Sequence, residues 1–297
     1  MAGLLLIRYG ELALKSPPVR REFEQRLRRN LLDQFLTANE PCRLTADHGH
    51  FYVECREGAP GARLAARVFG VTSVSVVREV PTERTAIETA VLDLAEPALP
   101  ASASFAVRAR RTGSHPFTSQ ELARDLGAAV LARWPDRSLR VDLDHPDVEL
   151  FVEVRGPKTY LYTDRRAGPG GLPLGVAGQV VSLVDGPRGA VGAFLMMKRG
   201  CRSALVCTPG AERFARDVLA RFDPGVRIEP AAAEAVDARL ETLAEELHAE
   251  AIVLPLSVDE YAGARERWAD RVVFSPTVGL DETEVAERWD RIVALAG

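Results

Sequence analysis

The stretch QVVSLVDGPRGAVGAFLMMKRG, residues 179–200, holds the arrangement with the most chemical potential in the chain. An apolar run leads into Gly186, Pro187 and Gly189, and a helical pattern carrying Leu195, Met196 and Met197 follows. A strand, a glycine turn and a helix can cradle phosphate, because the first N–H groups of a helix lack internal partners and its dipole favours an anion. Such a cradle needs donors aimed at the anion. Val184 and Gly189 bring no hydroxyl, Pro187 has no N–H, and Asp185 adds a negative charge where a phosphate would sit. Like charges roughly 4 Å apart repel by about 4 kcal/mol at a surface-like dielectric of about 20. Arg188 could grip a phosphate and Asp185 a magnesium ion, but that requires two new devices in one turn.

Other residue types offer weaker chemistry. Cys201 and Cys207 bracket CRSALVC with an even spacing that puts both on one face of a strand. Cys207, at the carboxyl end, is the candidate reactive thiol. A small buried apolar side chain is the preferred reading, since nothing nearby in sequence would depress its pKa. In FAVRARRTGSHPFTSQEL, residues 105–122, alternation turns Phe105 and Val107 inward and Arg108 and Arg110 outward together, with Arg111 next. Thr118, followed three residues later by Glu121, marks a capped helix start. Arginine forks beside a helix N-terminus would clamp phosphate; the competing reading pairs them with Asp142 and Asp144 on a neighbouring strand. Arg8 and Lys15, on either side of YGELAL, are further candidates for contact with a polyanion. His115 and His145 stand beside loop prolines and read as turn residues, and Trp268 and Trp289 as core or interface.

The elements that must position these residues follow from pattern. Phe23, Leu27, Leu31 and Phe35 lay one stripe along a helix between strands at Leu4–Ile7 and HFYVEC. AARVFG reads as a short helix ended by Gly70, and VSVVREV as a strand, giving a split βαβ unit over residues 1–80. Residues 81–175 hold a helix in TAIETAVLDLA ended by Pro97 and Pro100, strands at ASFAVRARR and LRVDL, a helix seamed by Leu122, Leu126, Val130 and Trp134, and a hairpin around Gly156–Pro157. AGPGGLPLGVAG, residues 167–178, reads as a linker or rim loop. From 176 to 297 short apolar runs alternate with helices, among them ERFARDVLARF and a last helix from Glu282 to Leu295, which implies a doubly wound parallel sheet. Ligands in such sheets bind at the carboxyl ends of the strands, where the 184–189 turn lies.

Composition sets limits. A chain of 297 residues with 46% hydrophobic and 27% charged residues is a soluble globular type with room for two or three domains. GLLLI before Arg8 is too short for a signal peptide or a membrane span, so a cytoplasmic protein without membrane contact is expected. Four cysteines without a C-x-x-C pair and five scattered histidines give neither a disulfide framework nor metal-ligand spacing, so no metal is expected. Basic residues number 12 against 9 acidic ones in 1–80, 12 against 13 in 81–175 and 14 against 20 in 176–297. A polyanion would meet the first two thirds more readily than the last.

LIRYGELALK, FAVRARR, HPDVELFVEVR, YLYTDRRAGPGGLPLG and LMMKRG together, in this order, resemble the tRNA 4-thiouridine synthase (tRNA sulfurtransferase) family. The resemblance implies a ferredoxin-like domain over 1–80, a THUMP RNA-binding domain over 81–175 and a PP-loop pyrophosphatase-like α/β domain over 176–297. The first two are implied to hold a tRNA acceptor end, with Arg8, Lys15, Arg108, Arg110, Arg111 and Thr118 the contact candidates. The third is implied to adenylate uridine with ATP before sulfur enters. The family's turn reads S-G-G-x-D-S, against Val184, Asp185, Gly186, Pro187, Arg188 and Gly189 here. Only the second glycine is kept, so the loop is expected to be degenerate and no cofactor is expected, with ATP and magnesium required only if the loop works. The family's sulfur passes through a persulfide cysteine; no appended rhodanese-like domain is expected, and Cys207 remains the one weak candidate. The leading expectation is a tRNA-binding, non-adenylating accessory protein. The alternatives are an active sulfurtransferase with an unorthodox loop and a platform whose acidic last domain docks a protein partner.

Overall fold

A computed structural model describes residues 3–10, 16–47, 49–268 and 270–297; Lys15 lies outside them. Alternation in the first strand, β1 (Gly3–Tyr9), sends Leu5 and Ile7 into a core shared with Leu27, Leu31 and Phe35 of α1 (Pro17–Thr37). Leu6 and Arg8 point to the opposite face. A hairpin of β2 (Cys42–Asp47) and β3 (His50–Cys55) pairs antiparallel with β1. The next helix, α2 (Gly58–Ala65), precedes the stretch expected to be helical, and only turns connect it to Gly70. Gly58 and Pro60 disguise it in sequence, yet both sit in its first turn, where a missing N–H costs nothing.

The long strand β4 (Val71–Pro81) joins the first two units. Its first part pairs with β1 and its last part with β8 (Lys158–Tyr162), so one nine-stranded sheet runs β2-β3-β1-β4-β8-β7-β5-β6, with β9 (Arg166–Ala167) added on β4. Here β5 is Ser104–Thr112, β6 Arg140–Val141 and β7 Val148–Arg155. LRVDL supplies only those two residues of β6, because the Asp142 carboxylate accepts from the Asp144 and His145 N–H groups and turns the chain away. Helices α3 (Arg84–Ala98) and α4 (Ser119–Arg133) cover one face over Ile87, Phe105, Leu126 and Val152. Pro97 lies inside α3 rather than ending it. The other face buries a smaller cluster of Leu6, Tyr52, Val77, Tyr160 and Tyr162 between the two halves of the sheet.

In the last third, β10 (Gln179–Val184), β11 (Arg202–Cys207), β12 (Ile228–Pro230), β13 (Ala251–Val253) and β14 (Val273–Phe274) form a parallel sheet in the order β12-β11-β10-β13-β14. Helices α5 (Pro187–Lys198) and α8 (Glu282–Ala296) pack on one face and α6 (Val236–Glu246) on the other, as expected of a doubly wound sheet, with α7 (Val258–Arg267) between β13 and β14. ERFARDVLARF is not a regular α-helix: a π turn at Phe214–Val218 runs into a 3-10 turn at Leu219–Arg221. The stretch expected to be a loose linker is instead a packed strap. Its Gly170 exchanges hydrogen bonds with Gly70 and Val71, and its Leu172, Gly175 and Ala177 N–H groups donate to Lys198 and Gly200. Gly171, at φ +73°, is required there, since a Cβ would lie 2.1 Å from the Lys198 carbonyl oxygen.

Candidate nucleic-acid interface and the strand-to-helix turn

Parallel pairing of β5 with β7 sets Arg108 beside Phe151 and Arg110 beside Glu153, on the face of the sheet away from α3 and α4. Glu153 is buried and gathers cations from three segments. Its carboxylate accepts from Arg8 at 2.6 Å, Arg155 at 2.6 Å and the Tyr162 hydroxyl at 2.5 Å, with Arg165 at 3.5 Å. Burial alone would raise its pKa; the Arg8 charge and these hydrogen bonds outweigh it and hold the carboxyl down at about 2. Burial and the bond to Glu153 together push the Tyr162 phenol up to about 12. Arg8 also donates to Ser75 and lies over the Tyr162 ring, and its side chain is 12% exposed. Arg8 is thereby placed in an internal knot rather than on an open surface.

Around this knot runs a hollow of about 670 Å³ that adjoins a second of about 540 Å³. Arg110, Ala109 and Ser119 line both. Arg110 is exposed and has no hydrogen bond or ion pair among the described residues, whereas Arg111 donates only to the Gly113 carbonyl. Arg108 pairs with Glu149 of the neighbouring β7 and donates to the Leu143 carbonyl at 2.7 Å, so for Arg108 the reading as a strand-to-strand ion pair holds, with Glu149 in place of Asp142 or Asp144. Phe151 stacks on Tyr162 at 4.8 Å, and the Arg165 guanidinium lies 5.0 Å from the Phe151 ring centre and 5.8 Å from that of Tyr162. The start of α4 closes one wall. Thr118 Oγ1 accepts from the Glu121 N–H and the Glu121 carboxylate accepts from the Thr118 N–H, a complete capping box. The Thr118 hydroxyl is thus used internally, and Ser119 and Gln120, the first residues of α4, line the hollow.

Sequence reasoning missed Glu153, Arg155, Arg165 and Tyr162. The one local signal was an acidic residue inside VELFVEV, at a position whose neighbours are apolar.

At the other candidate site, Val184 is buried at the end of β10, and α5 starts directly at Pro187. Asp185 follows β10 directly; desolvation raises its pKa and Glu260 adds to the rise, while its own backbone N–H and Arg188 oppose it. Arg188 folds back and donates to the Thr277 and Leu280 carbonyls at 2.9 Å each and to Glu282 at 2.6 Å. Gly189 is pinned, because a Cβ would lie 2.6 Å from the Leu183 carbonyl oxygen. Cys207 is fully buried, and burial first, then Glu212, pushes its thiol up to about 11. Such a thiol stays protonated at neutral pH and is a poor nucleophile. No group of three or more His, Cys, Asp or Glu side chains that could hold a metal occurs among the described residues, and no helix there is long and apolar enough to cross a membrane.

Comparison with known proteins matches this architecture. The model of the THUMP domain matches residues 82–164 and that of the ThiI ferredoxin-like domain residues 4–75. The chain is 36% identical over 209 residues to a probable tRNA sulfurtransferase of Methanothermobacter thermautotrophicus, covering 68% of this chain and 52% of that protein. It thus spans about half the length of the curated relatives that head the comparison. Among solved structures, PH1313 from Pyrococcus horikoshii Ot3 superimposes with a TM-score of 0.81 at 26% identity, over 98% of this chain and 99% of that one. A 4-thiouridine synthetase crystallised with RNA and bound ATP shares the fold, with a TM-score of 0.80 at 24% identity over 100% and 86% of the two chains. The probable tRNA sulfurtransferase of Methanobrevibacter smithii aligns at 31% identity over 95% of this chain and 84% of its own length. With both domain models in place and a relative matched nearly end to end, the chain belongs to the tRNA sulfurtransferase family.

Proposed function

We propose that this chain binds tRNA through the groove around Arg110, on the face of the sheet away from α3 and α4, and that its third unit does not adenylate the RNA, making it an accessory protein of tRNA modification. The observation that carries the second half is the state of Arg188. It is the one cation in the 184–189 turn, and its guanidinium is committed to two carbonyls and Glu282. What remains for a triphosphate is a proline without an N–H, the Asp185 carboxylate and a glycine with no hydroxyl. A serine at position 189 would collide with the Leu183 carbonyl, so the turn is wound differently from one that places a hydroxyl there. Membership of the family and the unpartnered Arg110 support the first half. Adenylation and sulfur delivery would then come from a second protein, and the acidic third unit is the surface that would dock it.

Family membership also favours a second reading, an active sulfurtransferase. Calorimetry of the whole chain with ATP and magnesium, with and without tRNA, separates the two. The accessory reading expects tRNA binding, no heat from ATP and no pyrophosphate release. A dissociation constant for ATP below about 1 µM together with tRNA-dependent pyrophosphate release would establish the enzyme instead.

A further inference from the structure

The four cysteines fall into two pairs with opposite prospects. Cys207 ends β11 and Cys201 immediately precedes it, which sets them about 20 Å apart along an extended chain. They cannot join. Cys42 and Cys55 are brought together instead, because β2 and β3 fold back on each other and place the two residues in direct register. Both turn to the face covered by α1 and α2, where Cys55 is buried and Cys42 packs half-buried against the same core.

The kind of register decides how close they come. Antiparallel strands alternate between pairs that exchange backbone hydrogen bonds and pairs that do not, and the second kind brings side chains closer, with Cα atoms about 4.5 Å apart. Only residues 48 and 49 separate Asp47 from His50, the pair at the closed end of the hairpin, and a turn that short is closed by a bond between its flanking residues. Counting outward, the bonded pairs fall at Thr45–Tyr52 and Arg43–Glu54, so Cys42–Cys55 is of the close kind. The backbone just beyond agrees. The Arg56 N–H reaches across the hairpin to the Glu40 carboxylate at 2.8 Å, which sends the N–H of the preceding Cys55 to the other side. A separation near 4.5 Å lies within the range of about 4.4–6.8 Å that a disulfide spans between Cα atoms.

Both thiols are free, and the Cys55 sulfur leans towards the Gly3 and Glu57 carbonyls at 3.6 and 3.4 Å. Gly61 of α2 leaves room above it, since a Cβ there would lie 2.5 Å from the sulfur. A turn about one side-chain bond exchanges these weak contacts for Cys42. Burial, and then Glu40, raises the pKa of each thiol, that of Cys55 to about 11, so the pair rests protonated and exchanges slowly at neutral pH. The strand that Cys42 begins, β2, is at the edge of the nine-stranded sheet and pairs on one side only. A covalent bond at this point would fasten that edge.

We propose that Cys42 and Cys55 are a reversible thiol–disulfide site, oxidised by low-molecular-weight disulfides, whose closure fastens the edge strand β2 to the sheet. Cys42, the more exposed, attacks one sulfur of the small disulfide as a thiolate. That S–S bond breaks, and the released small thiolate takes up the proton that Cys42 gave. Cys55 then attacks the Cys42 sulfur of the mixed disulfide and expels the second small thiol in the same way. Two protein thiols lose two electrons and two protons, and one small disulfide becomes two thiols. Neither RNA binding nor adenylation enters this chemistry.

The test uses the whole chain, reduced and then freed of reductant. It is brought to equilibrium with oxidised and reduced glutathione at graded ratios, in native buffer and in denaturant, then alkylated and mapped by mass spectrometry. The expected product is an internal Cys42–Cys55 bond with Cys201 and Cys207 still free, reversed by a dithiol reductant. Because a bond that stabilises the fold is stabilised by it, the equilibrium constant for closure should be at least about tenfold larger in native buffer than in denaturant. Cys42→Ser, which changes only the half-buried partner, should leave Cys55 reduced and free of glutathione. The inference is overturned if the native chain takes up nothing or stops with glutathione on Cys42. It is equally overturned if closure is no more favourable in native buffer than in denaturant, or if Cys55 of folded Cys42→Ser is oxidised as readily as in the parent.

Discussion

Arg8 and Arg110 approach the same carboxylate from opposite sides and meet different fates. Arg8 crosses from β1 and bonds Glu153 directly, in company with Ser75 and the Tyr162 ring. Arg110 is the register partner of Glu153 on the adjacent strand, yet its guanidinium stays in solvent. The oxygens of Glu153 are already taken by Arg8, Arg155, Tyr162 and, at longer range, Arg165. Arg110 makes no hydrogen bond or ion pair among the described residues, although its register partner is this acid. An arginine that fastens two halves of a sheet and one that waits for a ligand are thus told apart by whether the guanidinium reaches the acid, not by residue type.

The sharpest way to break this contrast is to remove the acid. Glu153→Gln leaves Arg8 and Arg155 buried with an uncompensated charge, and is expected to destabilise the chain by about 3–5 kcal/mol in chemical denaturation at neutral pH. Arg110→Ala should leave the denaturation midpoint where it was. Acid gives the same information without mutation. The folded pKa of Glu153 is about 2, below its ordinary value. Its contribution is therefore fully present above the ordinary carboxylate range of about 4.3 and is lost as pH falls towards 2, amounting to roughly 3 kcal/mol across that window. Denaturation curves at intervals from pH 5 to pH 2 should show this slope in the parent and a shallower one in Glu153→Gln. Equal slopes would mean that the knot contributes nothing to the union of the two halves.

The next effect is smaller and falls on binding. Arg110→Ala is expected to weaken tRNA binding about tenfold, similarly across tRNA sequences, and to lower the salt slope by about 0.7–0.9 for the lost phosphate contact. Arg108→Ala should do less, because its guanidinium is shared by Glu149 and the Leu143 carbonyl. Filter binding over a salt series reads both. If Arg108→Ala costs more than Arg110→Ala, pairing in the free protein does not predict availability to RNA.

Much of this was legible in the chain and some was not, for physical reasons. The outward turn of Arg108 and Arg110 follows from period-two alternation, and the α4 start from Thr118 and Glu121, because both are local. The doubly wound sheet follows from short apolar runs spaced by helices. The Arg8–Glu153 contact joins positions 145 residues apart, and no local pattern encodes it. The 167–178 strap misleads for a different reason. Glycines and prolines permit a loose loop, but here they let the backbone approach Val71 and Lys198 closely enough for hydrogen bonds. At the 184–189 turn the missing donors could be read directly, whereas the capture of Arg188 by Thr277, Leu280 and Glu282 depends on where α8 begins.

The smallest effect tests whether the α4 start belongs with the structural arginine or with the available one. Thr118 was the natural candidate for an RNA contact, but its hydroxyl accepts from the Glu121 N–H, and the Glu121 carboxylate accepts from the Thr118 N–H. The hydrogen bond from the Thr118 N–H, and after it the Thr118 side chain, hold the Glu121 carboxyl below the usual carboxylate range. The helix end therefore supplies its own anion, and RNA would compete with it rather than find an open seat. Thr118→Ala is expected to cost about 1 kcal/mol of stability, as loss of a cap does, and Thr118→Ser should restore most of it. Neither should lower tRNA affinity by more than about twofold, since the Thr118 hydroxyl is already engaged within the capping box. Glu121→Gln should strengthen binding slightly at low salt by removing a negative charge from the wall of the groove. A Thr118→Ala variant that keeps its stability but binds tRNA as poorly as Arg110→Ala would place the hydroxyl on the RNA and reopen the helix end as a phosphate seat.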